Sequence, residues 1–393
     1  MTARAPVVLF GLLFFLIATD QFCILPLLHV IGRDLHLSTL ELCLLVTAYH
    51  GFAGAFGLFV GPMIDRRRHG GVFLIGLVLF LGASVLTTVA QSLAVLLTVR
   101  ALAGLGTSGV GVGVSSFIST LVPPAQRRVV NGRVMVGALL GLVLGPLACG
   151  AIALKQDWRW IYAFLAAVTL PTVPIVAALV RNLPLPAYRR RLVLARGYAS
   201  LMVRLETGSG ILVMFLFTGA IGGIMAILGL WLFRFPDVDV FDVTKVFAAG
   251  GLGLYAGGNL SQGLAHLIGR KRLVVLSSLL LLLCFFFLFC IDEWVGLVYT
   301  AFFFTALVES VRRGPLQGTL VAMVKTREMP TYTLLKNGAG HVGTAVMVPI
   351  MGILLEAGGN IEMPILLAVA LTISATLAYF FFVRPPVHEP DRT

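Results

Sequence analysis

The sequence predicts an all-α membrane protein of twelve transmembrane helices in two pseudo-symmetric six-helix bundles. Three observations predict it. Of 393 residues, 59% are hydrophobic and only 12% charged, where soluble domains carry about a quarter charged. A soluble core could not hide that much apolar surface, so lipid must be the solvent for most side chains. Second, apolar runs of about twenty residues, the length that crosses a bilayer, recur about twelve times along the chain. Third, the charged, glycine-bearing loop Gly61-Pro62-Met63-Ile64-Asp65-Arg66-Arg67-Arg68 has a later counterpart in Gln262-Gly263-Leu264-Ala265-His266-Leu267-Ile268-Gly269-Arg270-Lys271-Arg272. Each lies between the second and third apolar runs of its half, as in a duplicated membrane protein.

The runs fall near 7–31, 39–62, 71–90, 93–120, 134–153, 159–180, 209–233, 243–267, 273–291, 295–322, 332–355 and 364–383. The first follows Arg4 and continues to about Ile31 with no small-residue cleavage site, so it is expected to be a retained helix, not a signal peptide. The third and fourth touch across Gln91 and Ser92 and form a tight hairpin. The longest connection, 181–208, carries Pro184 and Pro186 and then a basic stretch. It divides an N-terminal bundle (1–180) from a C-terminal bundle with a short tail (209–393). Between Tyr188 and Arg204 two readings stand: a helix lying on the membrane surface, or a plain basic linker.

Lys and Arg set the orientation. With the N-terminus inside, one set of loops holds Arg66, Arg67, Arg68, Arg127, Arg128, Arg133, the basic linker, Arg270, Lys271, Arg272, Lys325 and Arg327. The other set holds little beyond Arg33, Lys155, Arg159 and Arg234. Both termini are therefore expected in the cytoplasm, and the chain in the cell's inner or plasma membrane.

The net charge of +12 does not indicate nucleic acid, because the cations sit in short loops between apolar runs. No GxxxxGK[ST] loop is present, which argues against an ATP-driven motor. No HExxH, nucleophile elbow or pair of acids with catalytic spacing supports an enzyme. Cys23, Cys43, Cys149, Cys284 and Cys290 lie in apolar runs without a CxxC pair. They are expected to be small buried hydrophobes with free thiols, holding no metal.

Four motifs resemble those of the major facilitator superfamily, within it the twelve-helix drug:proton antiporter branch. Gly61-x-x-x-Asp65-Arg66 is similar to the loop between helices two and three, with Arg68 in place of a second glycine. The later loop keeps Gly269-Arg270-Lys271, with Gln262 and His266 replacing the first glycine and the acid. Arg100-x-x-x-Gly104-x-Gly106 resembles the helix-four motif. Gly141-x-x-x-Gly145-Pro146-x-x-Cys149-Gly150 resembles the antiporter motif of helix five, with Cys149 where a glycine is usual. Asp20 followed by Pro26, and Asp157-Trp158-Arg159, also fit. The resemblance is strong in the N-terminal half and weak in the C-terminal half. It implies the superfamily fold, transport by alternating access, antiport, and a coupling role for the helix-four arginine.

A charge within the bilayer usually faces a partner or a water-filled cavity. Asp20 lies about 20 Å up the first helix and Arg100 about 10 Å down the fourth, which enters from the other side. In a core about 30 Å thick these depths coincide. Asp20 and Arg100 can therefore pair, and protonating the acid would free the guanidinium: a proton switch. The competing readings are a static ion pair, or Asp20 capping a kink before Pro26. A second cluster holds Glu309, Arg312, Arg313, Lys336, Asn337 and His341. Glu309 and Arg313 stand one turn apart on one face, and Lys336 is expected at about the depth of Glu309. The cluster reads either as a polar cavity wall or gate, or as arginines snorkelling to the surface plus one internal pair. His50 and His341 fall mid-helix and can titrate near neutrality or serve packing; His29 and Glu41 fall near the outer surface.

Asp65 and its arginines orient the loop, and the resemblance adds a latch between the halves. Gly137, Gly141 and Gly145 give helix five a smooth face for close helix packing, which Pro146 then bends. Gly104, Gly106, Gly109, Gly111 and Gly113 form a similar small surface, for packing or for the cavity. The phenylalanines of 284–289 are expected to face lipid.

The expected function is proton-coupled efflux of a small amphipathic or cationic organic compound. No cofactor is expected; the proton gradient is the driving force. The partners are substrate, protons and membrane lipid, with no nucleic acid, and the chain is expected to be a monomer. The alternatives are uptake or uniport of an anionic metabolite, or export of a lipid-like substrate. A non-transporting membrane enzyme or receptor is the remote one.

Overall fold

A computed structural model describes residues 4–60, 69–182, 194–235, 237–291, 295–325 and 328–383. The described residues form fourteen α-helices and no β-strand. In the first half these are α1 (Arg4–Leu35), α2 (Thr39–Ala55, prolonged by a π-helical turn, Phe56–Val60), α3 (His69–Thr87), α4 (Leu93–Leu121), α5 (Arg127–Ala153), α6 (Arg159–Thr169) and α7 (Thr172–Asn182). Then come α8 (Leu194–Val203), α9 (Leu205–Leu232), α10 (Val240–Ile268), α11 (Arg270–Phe289), α12 (Val295–Ala322), α13 (Met329–Gly358) and α14 (Glu362–Phe382). With α6 and α7 as one segment and α8 too short to cross, twelve membrane-length segments remain. Ten of these, among the described residues, are long and apolar enough to span. The other two, α10 and α12, have 29 and 28 residues and carry Asp242 and Lys245, and Glu309, Arg312 and Arg313, respectively. We call the face where α1 begins and α14 ends the terminal face, and its opposite the far face.

The turns are built from local chemistry. Ser38 and Glu41 form a reciprocal capping box that starts α2, and Asp239 and Asp242 form another at α10. Ser92 caps α4 and closes the α3–α4 hairpin. Gly269 takes φ +90 between α10 and α11, a conformation open to glycine and costly for other residues. Pro26, Pro146, Pro315 and Pro349 lie inside helices, where neighbouring helices can satisfy freed backbone groups.

The packing repeats between halves. In the first, α1 packs on α5, α2 on α4, α3 on α4 and α3 on α6; in the second, α9 packs on α13, α10 on α12, α11 on α12 and α11 on α14. Every pairing has its counterpart at the same place in the order. The seam repeats too: α2 meets α13, α5 meets α10, and α1 meets α9. One apolar core joins both halves toward the far face, for example Leu28 and Tyr49 with Ile227 and Met351. Toward the terminal face each half has its own core, around Phe10, Phe73 and Phe117 in one and Val213, Leu320 and Tyr332 in the other.

Four expectations need correction or refinement. Cys23 and Cys149 form a disulfide between α1 and α5, while Cys43, Cys284 and Cys290 are free. The close approach of α1 and α5 brings their Cα atoms to 6.0 Å, a contact that 126 intervening residues conceal. Phe285 is buried, whereas Phe286, Phe287 and Phe289 are exposed, because consecutive helical residues face different ways. The glycines of α4 serve packing: a Cβ at Gly104 would overlap α2, and one at Gly106 or Gly109 would crowd α3, while Gly111 faces open space. The stretch 194–203 is helical, and its Leu201 is buried against the second half.

Candidate functional site

In the first half, α1 carries Asp20 and α4 carries Arg100. The Arg100 Nη1 donates to Asp20 Oδ1 at 2.9 Å, with both side chains 3% exposed. Close packing brings these elements together. A Cβ at Gly137 or Gly141 of α5 would overlap the carbonyl of Gly11 or Phe15, and one at Gly145 would lie 3.1 Å from the Thr19 Cα. The Gly137, Gly141 and Gly145 face therefore seats α1, and α5 continues through Pro146. Gly150 turns to the opposite half, against Thr244 of α10.

The pair is incompletely satisfied. Asp20 Oδ2 and Arg100 Nε have no hydrogen-bond partner among the described residues. The guanidinium carbon stands 4.6 Å above the Tyr49 ring, and Tyr162 lies beside it. Tyr49 Oη in turn donates to Thr107 at 3.1 Å. A buried carboxylate with one oxygen bonded and one free can take a proton on the free oxygen. That proton cancels the charge that holds the arginine.

In the second half, Glu309, Arg312 and Arg313 share α12. Glu309 accepts a hydrogen bond from Arg312 and lies 3.4 Å from Arg313. Arg312 is 1% exposed and stacks 3.7 Å from the Phe217 ring centre, whereas Arg313 is 54% exposed. Arg313 thus snorkels and Arg312 does not. The expected Glu309–Arg313 contact is present and Arg312 joins it, since i,i+3 and i,i+4 partners are equally allowed on a helix. Lys336 is buried and donates to Gln317 and, at 3.1 Å, to Asn337. Gln317 stands eight residues beyond Glu309, about 12 Å along α12. The expected shared depth of Lys336 and Glu309 is therefore wrong; α13 starts at Met329, and Lys336 meets Gln317 nearer the terminal face.

The two mid-helix histidines come together. His50 Nδ1 on α2 lies 3.0 Å from His341 Nδ1 on α13, across the seam. Sequence reasoning named both residues but not their contact, because they stand 291 positions apart in different halves.

On the far face, Arg159 bonds Asp34 at 2.9 Å, Asp157 at 3.1 Å and the Ala90 carbonyl at 2.7 Å, while Trp158 donates to Asp34 at 3.2 Å. This network ties α1, the α3–α4 turn and α6. A cleft of about 270 Å³ opens there between the halves, lined by His29, Arg33, Phe233 and Arg234. On the terminal face, Lys271 donates to the carbonyls of Phe380 and Val383 at the end of α14, while Arg270 lies near Gly318 of α12. Gly269, Arg270 and Lys271 therefore organise the second half. Gly61, Asp65 and Arg66 of the other loop lie outside the described residues.

The model of the Major Facilitator Superfamily matches residues 10–261. The chain is 26% identical over 349 residues to the uncharacterized MFS-type transporter YceJ of Bacillus subtilis strain 168, covering 89% of each chain. It is 24% identical to Multidrug resistance protein D of Escherichia coli K12, covering 85% of each. Its fold is similar to that of a solved D-xylose-proton symporter, with a TM-score of 0.75 at 16% identity over 96% of this chain and 97% of that one. Repeated pairings in both halves, twelve membrane-length helices and the match over more than half of the residues agree: the chain belongs to the Major Facilitator Superfamily and is a membrane-embedded secondary transporter.

Proposed function

We propose that the protein exports a small amphipathic or cationic organic compound in exchange for protons. It works by alternating access, with 1–180 and 209–393 as the moving bundles. The observation that carries this reading is the buried Asp20–Arg100 pair with its free carboxylate oxygen. In the outward step Asp20 takes a proton and releases Arg100; inward, it loses the proton and re-pairs. A cationic substrate competes for the same carboxylate, so proton and substrate exclude each other. The relative named Multidrug resistance protein D supports the export direction. The smooth α5 face at Gly141, Gly145 and Pro146 supports antiport by limiting leak, and Gly150 extends close packing to the other half.

In this reading the polar side chains of α2, α12 and α13 border the substrate path: His50, Glu309, Lys336, Asn337 and His341. The loops at Gly61, Asp65 and Arg66 and at Gly269, Arg270 and Lys271 gate the cytoplasmic side. Both termini are cytoplasmic in the inner or plasma membrane. A monomer suffices, and the proton gradient takes the place of a cofactor.

The test is transport of ethidium or tetraphenylphosphonium in proteoliposomes under an imposed pH gradient. Asp20→Asn should abolish gradient-driven movement and also weaken binding of the cation, which loses the carboxylate it competes for. Unchanged gradient-driven export would remove Asp20 from the coupling. A second reading, movement of an anionic metabolite or lipid-like anion, draws on Lys336, whose hydrogen-bond partners are the neutral Gln317 and Asn337. Assays with organic anions and cations in both directions separate the two.

A further inference from the structure

The seam between α2 and α13 holds a pair of imidazoles that the coupling scheme does not use. His50 and His341 face each other through their Nδ1 atoms at 3.0 Å, with ring centres 5.2 Å apart. The seam is closely fitted on both sides of them. One turn toward the far face, Thr47 donates to the Ala345 carbonyl at 3.0 Å. Toward the terminal face, Gly54 and Gly57 leave room for the Gly338 backbone. Both imidazoles are only partly buried.

Two neutral imidazoles facing in this way share one hydrogen: one Nδ1–H donates and the other Nδ1 accepts. One added proton, taken up at an Nε2, leaves that hydrogen in place and makes the bond charge-assisted and stronger. A second added proton leaves two N–H donors and two positive charges opposed, with no acceptor between them. The surroundings do not offset that charge. On α12, which also packs on α13, Glu309 is engaged by Arg312 and Arg313, and on α14 the acid is Glu362 in the first turn, at the far face. On α2, the Tyr49 ring lies edge-on to His50 at 5.2 Å. On α4, Arg100 stands over Tyr49, and Asp20 on α1 is engaged by Arg100. On α13, Asn337 precedes His341 by one turn and accepts a hydrogen bond from Lys336. On α9, packed beside α13, the charged side chain is Glu206, near the helix start on the terminal face. Among the described residues, no carboxylate forms an ion pair with either histidine.

We propose that His50 and His341 form a proton-binding site in the seam between the halves. The pair ties α2 to α13 when it holds no more than one added proton, and a second proton parts them. Acid therefore loosens the seam and favours separation of the halves. The inference rests on family membership and on this contact, and not on the coupling role of Asp20.

The test reads conformation rather than transport. Spin labels at Lys155→Cys and Met363→Cys, exposed positions of the two halves on the far face, report the distance between them by pulsed electron resonance. Cys284 and Cys290 are replaced by alanine in this background, and the protein is held in lipid nanodiscs. The distance distribution should shift to longer values as pH falls from neutral to acid. The shift should persist in Asp20→Asn and be lost in His50→Gln, in His341→Gln and in the double variant. His341→Asn keeps an amide able to bond His50 and cannot titrate; it should hold the short distance at all pH values, and serves if the double variant does not fold. A pH-independent distribution in the parent protein, or an undiminished shift in the histidine variants, would overturn the proposal.

Discussion

The two halves each bury an acid against an arginine, and they do it differently. In the first half Asp20 and Arg100 come from separate helices, and each keeps an unused polar atom. In the second, Glu309 and Arg312 are three residues apart on α12, with Arg313 at the other oxygen and Phe217 under the guanidinium, whose Nε and Nη1 are likewise unused. A pair between helices depends on how those helices sit, so its energy changes when they move. A pair within one helix travels with it. The first arrangement suits a switch, and the second suits a fixed charge on a wall. The symmetry of the packing makes the contrast sharper, since α4 and α12 are corresponding helices.

Breaking the inter-helix pair should have the largest effect. Arg100→Met strands a buried carboxylate, worth about 3–5 kcal/mol if it stays ionised. Asp20 should escape that cost by binding a proton, so the variant should be more stable at acid pH than at neutral pH, measured by thermal unfolding in detergent. Arg312→Met should cost less, about 1–3 kcal/mol, because Arg313 already reaches Glu309. Its pH dependence should be correspondingly weaker. Equal losses in the two variants would remove the distinction between the halves.

Gly141→Ala sharpens the comparison from the packing side. Its Cβ would collide with the Phe15 carbonyl and push α1 from α5, costing about 1–3 kcal/mol. It should also weaken proton-driven transport by displacing Asp20, five residues along α1 from Phe15. Arg313→Ala should do least, within about 1 kcal/mol, since that side chain is 54% exposed.

Composition and run length made the helices legible, and depth arithmetic brought Asp20 and Arg100 to one level. That worked because each residue's distance from a helix end is written in the sequence. Contacts across the seam are not written there. His50 and His341 follow no period, and their meeting depends on how two bundles dock. The Cys23–Cys149 bond is hidden in the same way, although the glycine face of α5 hinted at the approach that permits it. The partner of Glu309 was ambiguous because both neighbours satisfy helical spacing. Lys336 was misplaced because depth was counted from an estimated helix start, and α13 begins at Met329.

The central claim is that a carboxyl buried between α1 and α4 takes up and releases a proton. Infrared difference spectra of the purified protein, recorded as pH is lowered, test it without any substrate. Beside the band of the exposed acids, a protonated carboxyl component should grow in the parent protein, be missing from Asp20→Asn, and persist to higher pH in Arg100→Met. A spectrum unchanged by Asp20→Asn would contradict the account.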